Sequence, residues 1–165
     1  MQCPNEFTIK WLREFVAYLG GDPSLIQDRN WYWEDFARYY PELKEKSERF
    51  FEEAKEGNPS WAAFCMVYSC GSDKKWAEKL IESCKIGDPN GAARHMVYSC
   101  ESSREWAEKV IENCKVGNPA YDAYCMVEHC GSSKEWAESV SNSPIESGIL
   151  CRERKRKVRM PRRSK

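Results

Sequence analysis

Three near-copies of one 30-residue phrase occupy the middle of this chain and constrain its fold more than any single residue does. They read GNPSWAAFCMVYSCGSDKKWAEKLIESCKI from Gly57, GDPNGAARHMVYSCESSREWAEKVIENCKV from Gly87 and GNPAYDAYCMVEHCGSSKEWAESV from Gly117. A fixed period of this length is the signature of stacked supersecondary units, each lending its apolar face to the next.

Each copy holds two apolar stripes at helical spacing. In the first, Ala63, Met66, Val67 and Cys70 follow i, i+3, i+4 and i+7, and Ala93, Met96, Val97 and Cys100 repeat them in register. In the second, Trp76, Ala77, Leu80, Ile81 and Cys84 are matched by Trp106, Ala107, Val110, Ile111 and Cys114. Asn58, Asp88 and Asn118 stand as N-caps before Pro59, Pro89 and Pro119, and Gly57, Gly87 and Gly117 are expected to close the preceding helices. Ser102 to Glu105 and Ser132 to Glu135 have capping-box spacing ahead of Trp106 and Trp136. The expected architecture is all-α, an α-solenoid of antiparallel helical hairpins.

Weaker copies extend the pattern backward. Trp33, Phe36, Ala37 and Tyr40 repeat the first stripe, and Phe50, Phe51 and Ala54 hold the places of Leu80, Ile81 and Cys84. Before them, Trp11, Leu12, Phe15, Val16 and Leu19 form a capping half-repeat that runs into Gly20-Gly21-Asp22-Pro23. The expected division is a capping helix over 1–22, hairpins over 23–58, 59–88, 89–118 and 119–143, and a basic tail over 144–165.

Formal net charge is zero, but residues 151–165 hold nine Lys or Arg against one Glu. That surplus of eight positive charges leaves an equal negative surplus on residues 1–150, so an acidic body carries a basic tail. The tail has no apolar period and repels itself, which predicts disorder when it is unbound.

The 41% hydrophobic content suffices for a core, and no run is long enough to span a membrane. Charges within MQCPNEFTIKWLREF interrupt the apolar stretch that a secretory signal needs, so an intracellular protein is expected. Nine cysteines then read as reduced thiols, with disulfides the alternative in an oxidising source. Cys70, Cys100, Cys130, Cys84 and Cys114 fall on the stripes, where cysteine packs as a small hydrophobe. Cys70 and Cys84 lie at opposite ends of one hairpin, ~18 Å apart at ~1.5 Å per residue, too far for a bridge. Cys65, His95 and Cys125 share one repeat position, and Cys125 and His129 form an i, i+4 pair, but a four-ligand zinc shell would have to be gathered across repeats. No metal or other cofactor is expected.

The order of signals resembles the tetratricopeptide superfamily, in particular its Sel-like branch. Gly57, Asn58, Ala63, Tyr68, Trp76 and Ala77 carry the likeness, with Gly87, Asp88, Ala93, Tyr98, Trp106 and Ala107 in the next copy. It covers residues 23–140, although the 30-residue period is shorter than those families use and their Gly-rich inner turn is missing. The resemblance implies an adaptor that holds a protein or peptide in a groove lined by first helices. Trp61, Cys65, Tyr68, Arg94, His95, Tyr98, Tyr121 and Tyr124 are the groove candidates, packing between repeats being the alternative for the aromatic ones. Trp76, Trp106 and Trp136 repeat in register with the stripe and are expected in the core.

Catalysis finds no support: no phosphate-cradling Gly loop, nucleophile elbow or zincin pair is present, and the chain has two histidines. Glu78, Glu108 and Glu138 read as solvated helix positions beside lysines. The tail's Arg152, Arg154, Lys155, Arg156, Lys157, Arg159, Arg162, Arg163 and Lys165 could instead neutralise phosphates of a nucleic acid without reading its sequence. They also resemble a nuclear-import signal, should the source be eukaryotic, and docking on the acidic body is the third reading.

Overall fold

The three prolines that open the repeats each start a helix. Asn58, Asp88 and Asn118 accept side-chain hydrogen bonds from the backbone N–H groups of Trp61, Gly91 and Tyr121 at 3.2, 3.0 and 3.2 Å. This satisfies donors that a first helical turn leaves unpaired, and proline fits there because it has no N–H to lose. The computed structural model describes residues 1–27, 31–114 and 116–141. Its helices, numbered in chain order, are α1 (Ile9–Tyr18), α2 (Trp33–Tyr39), α3 (Lys44–Glu52), α4 (Pro59–Cys70), α5 (Lys74–Ser83), α6 (Pro89–Cys100), α7 (Arg104–Asn113), α8 (Pro119–Cys130) and α9 (Lys134–Ser141). Short 3₁₀ helices cover Pro23–Leu25 and Pro41–Leu43, and the described residues contain no strand. No described helix is long and apolar enough to cross a membrane. Residues 142–165, and with them every expectation for the basic tail, lie outside the described residues.

Each first helix packs both on the second helix of its own repeat and on the next first helix: α4 on α5 and α6, α6 on α7 and α8, α8 on α9. A helix covered on two sides needs a wider apolar arc than one stripe supplies. Ala62, Ala63, Phe64, Cys65 and Met66 are accordingly all fully buried, whereas α5 buries Ala77, Leu80 and Ile81 along one narrow face. This corrects the placement of the cysteines. Cys65 and Cys125, off the stripe, are enclosed, as is Cys3 near the N-terminus, while Cys70, Cys84, Cys100, Cys114 and Cys130 are half-buried. Trp76, Trp106 and Trp136 are likewise half-buried against the core rather than within it.

The turns also differ from expectation. α5 and α7 end at Ser83 and Asn113, so Gly87 and Gly117 lie well beyond them and serve the turn between repeats. The inner cap falls one residue later than the capping box requires: Asp73, Ser103 and Ser133 accept from the N–H of Trp76, Trp106 and Trp136 at 2.9, 3.1 and 3.1 Å. Ser72, Ser102 and Ser132 are instead buried, their hydroxyls without a protein partner. The first helices close on a left-handed residue, Gly71, Glu101 or Gly131. A side chain strains that conformation, and Glu101 is the sole described non-glycine at positive φ, at 58°. Glu101→Gly is therefore expected to stabilise the protein by about 1 kcal/mol and raise Tm by a few degrees, a shift that calorimetry would read. No gain would mean that the glutamate side chain offsets its own strain.

Two periodic bonds set the register between repeats. At the start of each second helix a cation reaches the C-terminal end of the next first helix, where carbonyls lack partners. Lys44, Lys74 and Arg104 donate to the carbonyls of Gly71, Glu101 and Gly131 at 3.1, 3.0 and 2.7 Å. Between second helices, the indole N–H of Trp76 donates to Glu52 at 2.7 Å and that of Trp136 to Glu112 at 2.6 Å. At the N-terminal end, the Phe15 ring of α1 packs against Phe36, Phe50 and Phe51.

Candidate partner-binding surface

The candidate residues come from four positions of the first helices, 61, 64 or 65, and 68 in α4 with their counterparts in α6 and α8. These positions follow i, i+3, i+4 and i+7, so they share the helix face turned toward the next repeat. The structure sorts them into an enclosed set and a partly exposed one.

Cys65 is fully enclosed and Tyr124 is 7% exposed, so both are removed from the list of surface residues. Cys65 packs as a hydrophobe, and burial holds its thiol well above the ordinary range. His95 lies between two rings of the preceding repeat, 5.0 Å from Trp61 and 5.3 Å from Phe64. Its Nδ1 has no hydrogen-bond partner. The site is built for an apolar imidazole: burial, with the Arg94 charge adding to it, lowers its pKa from 6.5 to about 3. His95 and Cys65 thus serve packing, and no group of three or more His, Cys, Asp or Glu side chains among the described residues is placed to hold a metal ion.

The His95 environment has a measurable consequence. An unfolded chain binds the imidazole proton below about pH 6.5, while the folded state refuses it down to about pH 3. Across that window the unfolded state holds more protons, so stability falls as pH falls; above it, His95 contributes no slope. Between pH 6 and 4 the protein is expected to lose about 2 kcal/mol more than His95→Gln, by denaturant titration at each pH. Parallel curves would show that His95 takes up its proton when folded.

Of the other set only Tyr98 is well exposed, and Tyr68, Arg94 and Tyr121 are half-buried by contacts between repeats. Tyr98 is 68% exposed, and its ring centre lies 6.3 Å from that of His129 on α8. Tyr68 is half-buried between Phe64, stacked at 5.7 Å, and the edge of Trp31 at 5.8 Å. The Trp31 indole N–H donates to Ser69 at 2.6 Å. Beside Tyr68 a hollow of about 310 Å³ is rimmed by Glu34, Arg38 and Ser69. Arg94 donates to Asp122 across the α6–α8 contact at 3.1 Å and lies 6.0 Å from the Tyr121 ring centre. A guanidinium fixed by a largely buried carboxylate and an aromatic face is pre-organised at little entropic cost.

The surface therefore brings Tyr68, Tyr98, Tyr121 and Arg94 together with Trp31, Asp122 and His129 along successive first helices. Trp61 supports it from below through His95. The sequence reading missed Trp31, which packs on Tyr68, and the enclosed Phe64 and Asp122, which hold Tyr68 and Arg94 in place. Asp122 lies 28 residues after Arg94, close to one period, so an opposite-charge pair at nearly the repeat spacing was the available signal. Trp31 lies 30 residues before Trp61, so the repeat itself marked it, as the counterpart of a residue already singled out.

Tyrosine, tryptophan and arginine present large contact area with few rotatable bonds and both apolar and hydrogen-bonding character, which is the chemistry of a recognition surface. No protein-family model matches this sequence, and comparison with curated proteins and with solved structures finds none that is similar.

Proposed function

We propose that this protein is a non-catalytic α-solenoid scaffold of tetratricopeptide-like helical hairpins that binds a protein or peptide on its first-helix face. The observation that carries this reading is Tyr98, a large aromatic ring 68% exposed and in register with Tyr68 of the preceding repeat. An exposed aromatic of this kind contributes nothing to the fold by burial and gains most by being covered. We place the scaffold inside the cell, where unbridged thiols such as Cys70 and Cys84 persist.

Selection of displayed peptides on the full chain, followed by Tyr98→Ala and Tyr68→Ala, tests the reading. Selected peptides are expected to lose about tenfold or more in affinity on Tyr98→Ala, with stability changed by no more than about 0.5 kcal/mol. Peptides that bind both variants as they bind the parent would remove this face from consideration.

A second reading rests on the nine Lys or Arg among residues 151–165. Contact of these residues with a phosphate backbone would weaken by about 10³-fold or more between 50 and 200 mM salt and vanish when the segment is deleted. Weak salt dependence would exclude it.

A further inference from the structure

Two seams between adjacent second helices hold clefts, and their linings repeat with the sequence. The one between α3 and α5 is lined by Phe51, Glu52 and Leu80 among others, and measures about 330 Å³. The next, between α5 and α7, is lined by their 30-residue counterparts Ile81, Glu82 and Val110, and measures about 570 Å³. The enlargement follows from the side chains: Ile81 stands where Phe51 stands and Val110 where Leu80 stands, each smaller than its counterpart. A volume of this size lies within the range of small-molecule sites.

The same seam lacks a bond that its neighbours have. Trp76 and Trp136 each give their indole N–H to the glutamate 24 residues before them, Glu52 and Glu112. The corresponding pair is Glu82 and Trp106. Here Glu82 lines the cleft and the Trp106 N–H, although buried, has no partner. A buried indole N–H without an acceptor is costly, and the flanking seams show that a carboxylate is what satisfies it. Lys85 and Lys109 also line the cleft, together with the aliphatic side chains of Ile81, Val110 and Val116.

We propose that the α5–α7 cleft binds an aliphatic carboxylate, with the chain lying on Ile81, Val110 and Val116 and the carboxylate held by Lys85 and Lys109. The incoming charge repels Glu82, whose carboxylate then completes the missing bond to Trp106. Binding thus restores the register bond of the neighbouring seams. This site lies on the second helices and does not depend on the peptide-binding reading of the first-helix face.

The test is titration of the full chain with decanoate, below its micelle concentration, followed by calorimetry and beside decylamine and decanol. Decanoate is expected to bind saturably at one site and at least ~10-fold more tightly than decylamine, and to slow alkylation of Cys84 and Cys114, which line the cleft, but not of Cys130. Ile81→Phe with Val110→Leu installs the residues of the neighbouring seam and is expected to abolish binding. Lys85→Met with Lys109→Met leaves the apolar floor intact and is expected to weaken decanoate at least ~10-fold without affecting decanol. No saturable decanoate binding, equal binding of decylamine, or decanoate affinity unchanged in either variant would overturn the proposal.

Discussion

Replacing Met66 by Asp is expected to cost the fold at least ~4 kcal/mol and to abolish the cooperative urea transition if total stability is no larger. Met66 is fully buried, and its backbone carbonyl accepts the N–H groups of both Gly71 and Ser72 at the end of α4. A carboxylate at this position would be shut off from water. Met66→Leu conserves volume and polarity and is expected to stay within about 1.5 kcal/mol of the parent. Met96 and Met126 hold the same position with the same carbonyl contacts, to Ser102 and Ser132, and are also fully buried. Equal urea midpoints for the Asp and Leu variants would show that the stripe is out of register.

The second large effect is expected at Gly57. Its φ is +81°, and a Cβ built there would lie 2.0 Å from the carbonyl oxygen of Cys3 and 2.9 Å from that of Pro4. Both obstacles are backbone, and the second already accepts the N–H of Asn58 at 2.8 Å. Gly57→Ala must therefore displace the N-terminal segment from the first inter-repeat turn as well as strain the backbone. A loss of about 3 kcal/mol or more is expected. Gly71, at φ +64° with open space around its Cβ position, isolates the backbone strain, and Gly71→Ala is expected to cost only about 1 kcal/mol. Displacement of the segment also predicts faster alkylation of Cys3, which is 5% exposed in the parent. Equal losses from the two glycine variants, with Cys3 still protected, would mean that the segment is not seated against Gly57.

The starts of the first helices were legible because they depend on local chemistry. Asn58-Pro59, Asp88-Pro89 and Asn118-Pro119 carry their own caps, and the backbone obeys them without reference to the rest of the molecule. The inner turn was harder. Ser102 and Ser103 are both competent caps, and the choice of Ser103 follows from a left-handed residue at Glu101 that turns the chain and carries Ser102 inward. Local spacing cannot rank two adjacent serines.

The candidate surface was legible only in part for a similar reason. Its positions were identifiable from the repeat, since Tyr68 and Tyr98 recur in register, but burial at a repeated position depends on what the next repeat places against it. Cys65 is enclosed, while Tyr98, on the same helix face one repeat later, is the most exposed large aromatic side chain described.

By itself, then, the sequence determined that this chain forms paired helices at a 30-residue interval and where each first helix begins. These follow from capping, proline geometry and the 3.6-residue period, all properties of a few neighbouring residues. Only the tertiary structure decided which thiols are enclosed, that His95 is wedged between Trp61 and Phe64, that Arg94 is tied to Asp122, and that the seam at Trp106 lacks the bond its neighbours have. Each depends on side-chain volumes and partners across a contact between repeats, where Ile for Phe or Val for Leu changes the space available while leaving the periodic pattern untouched.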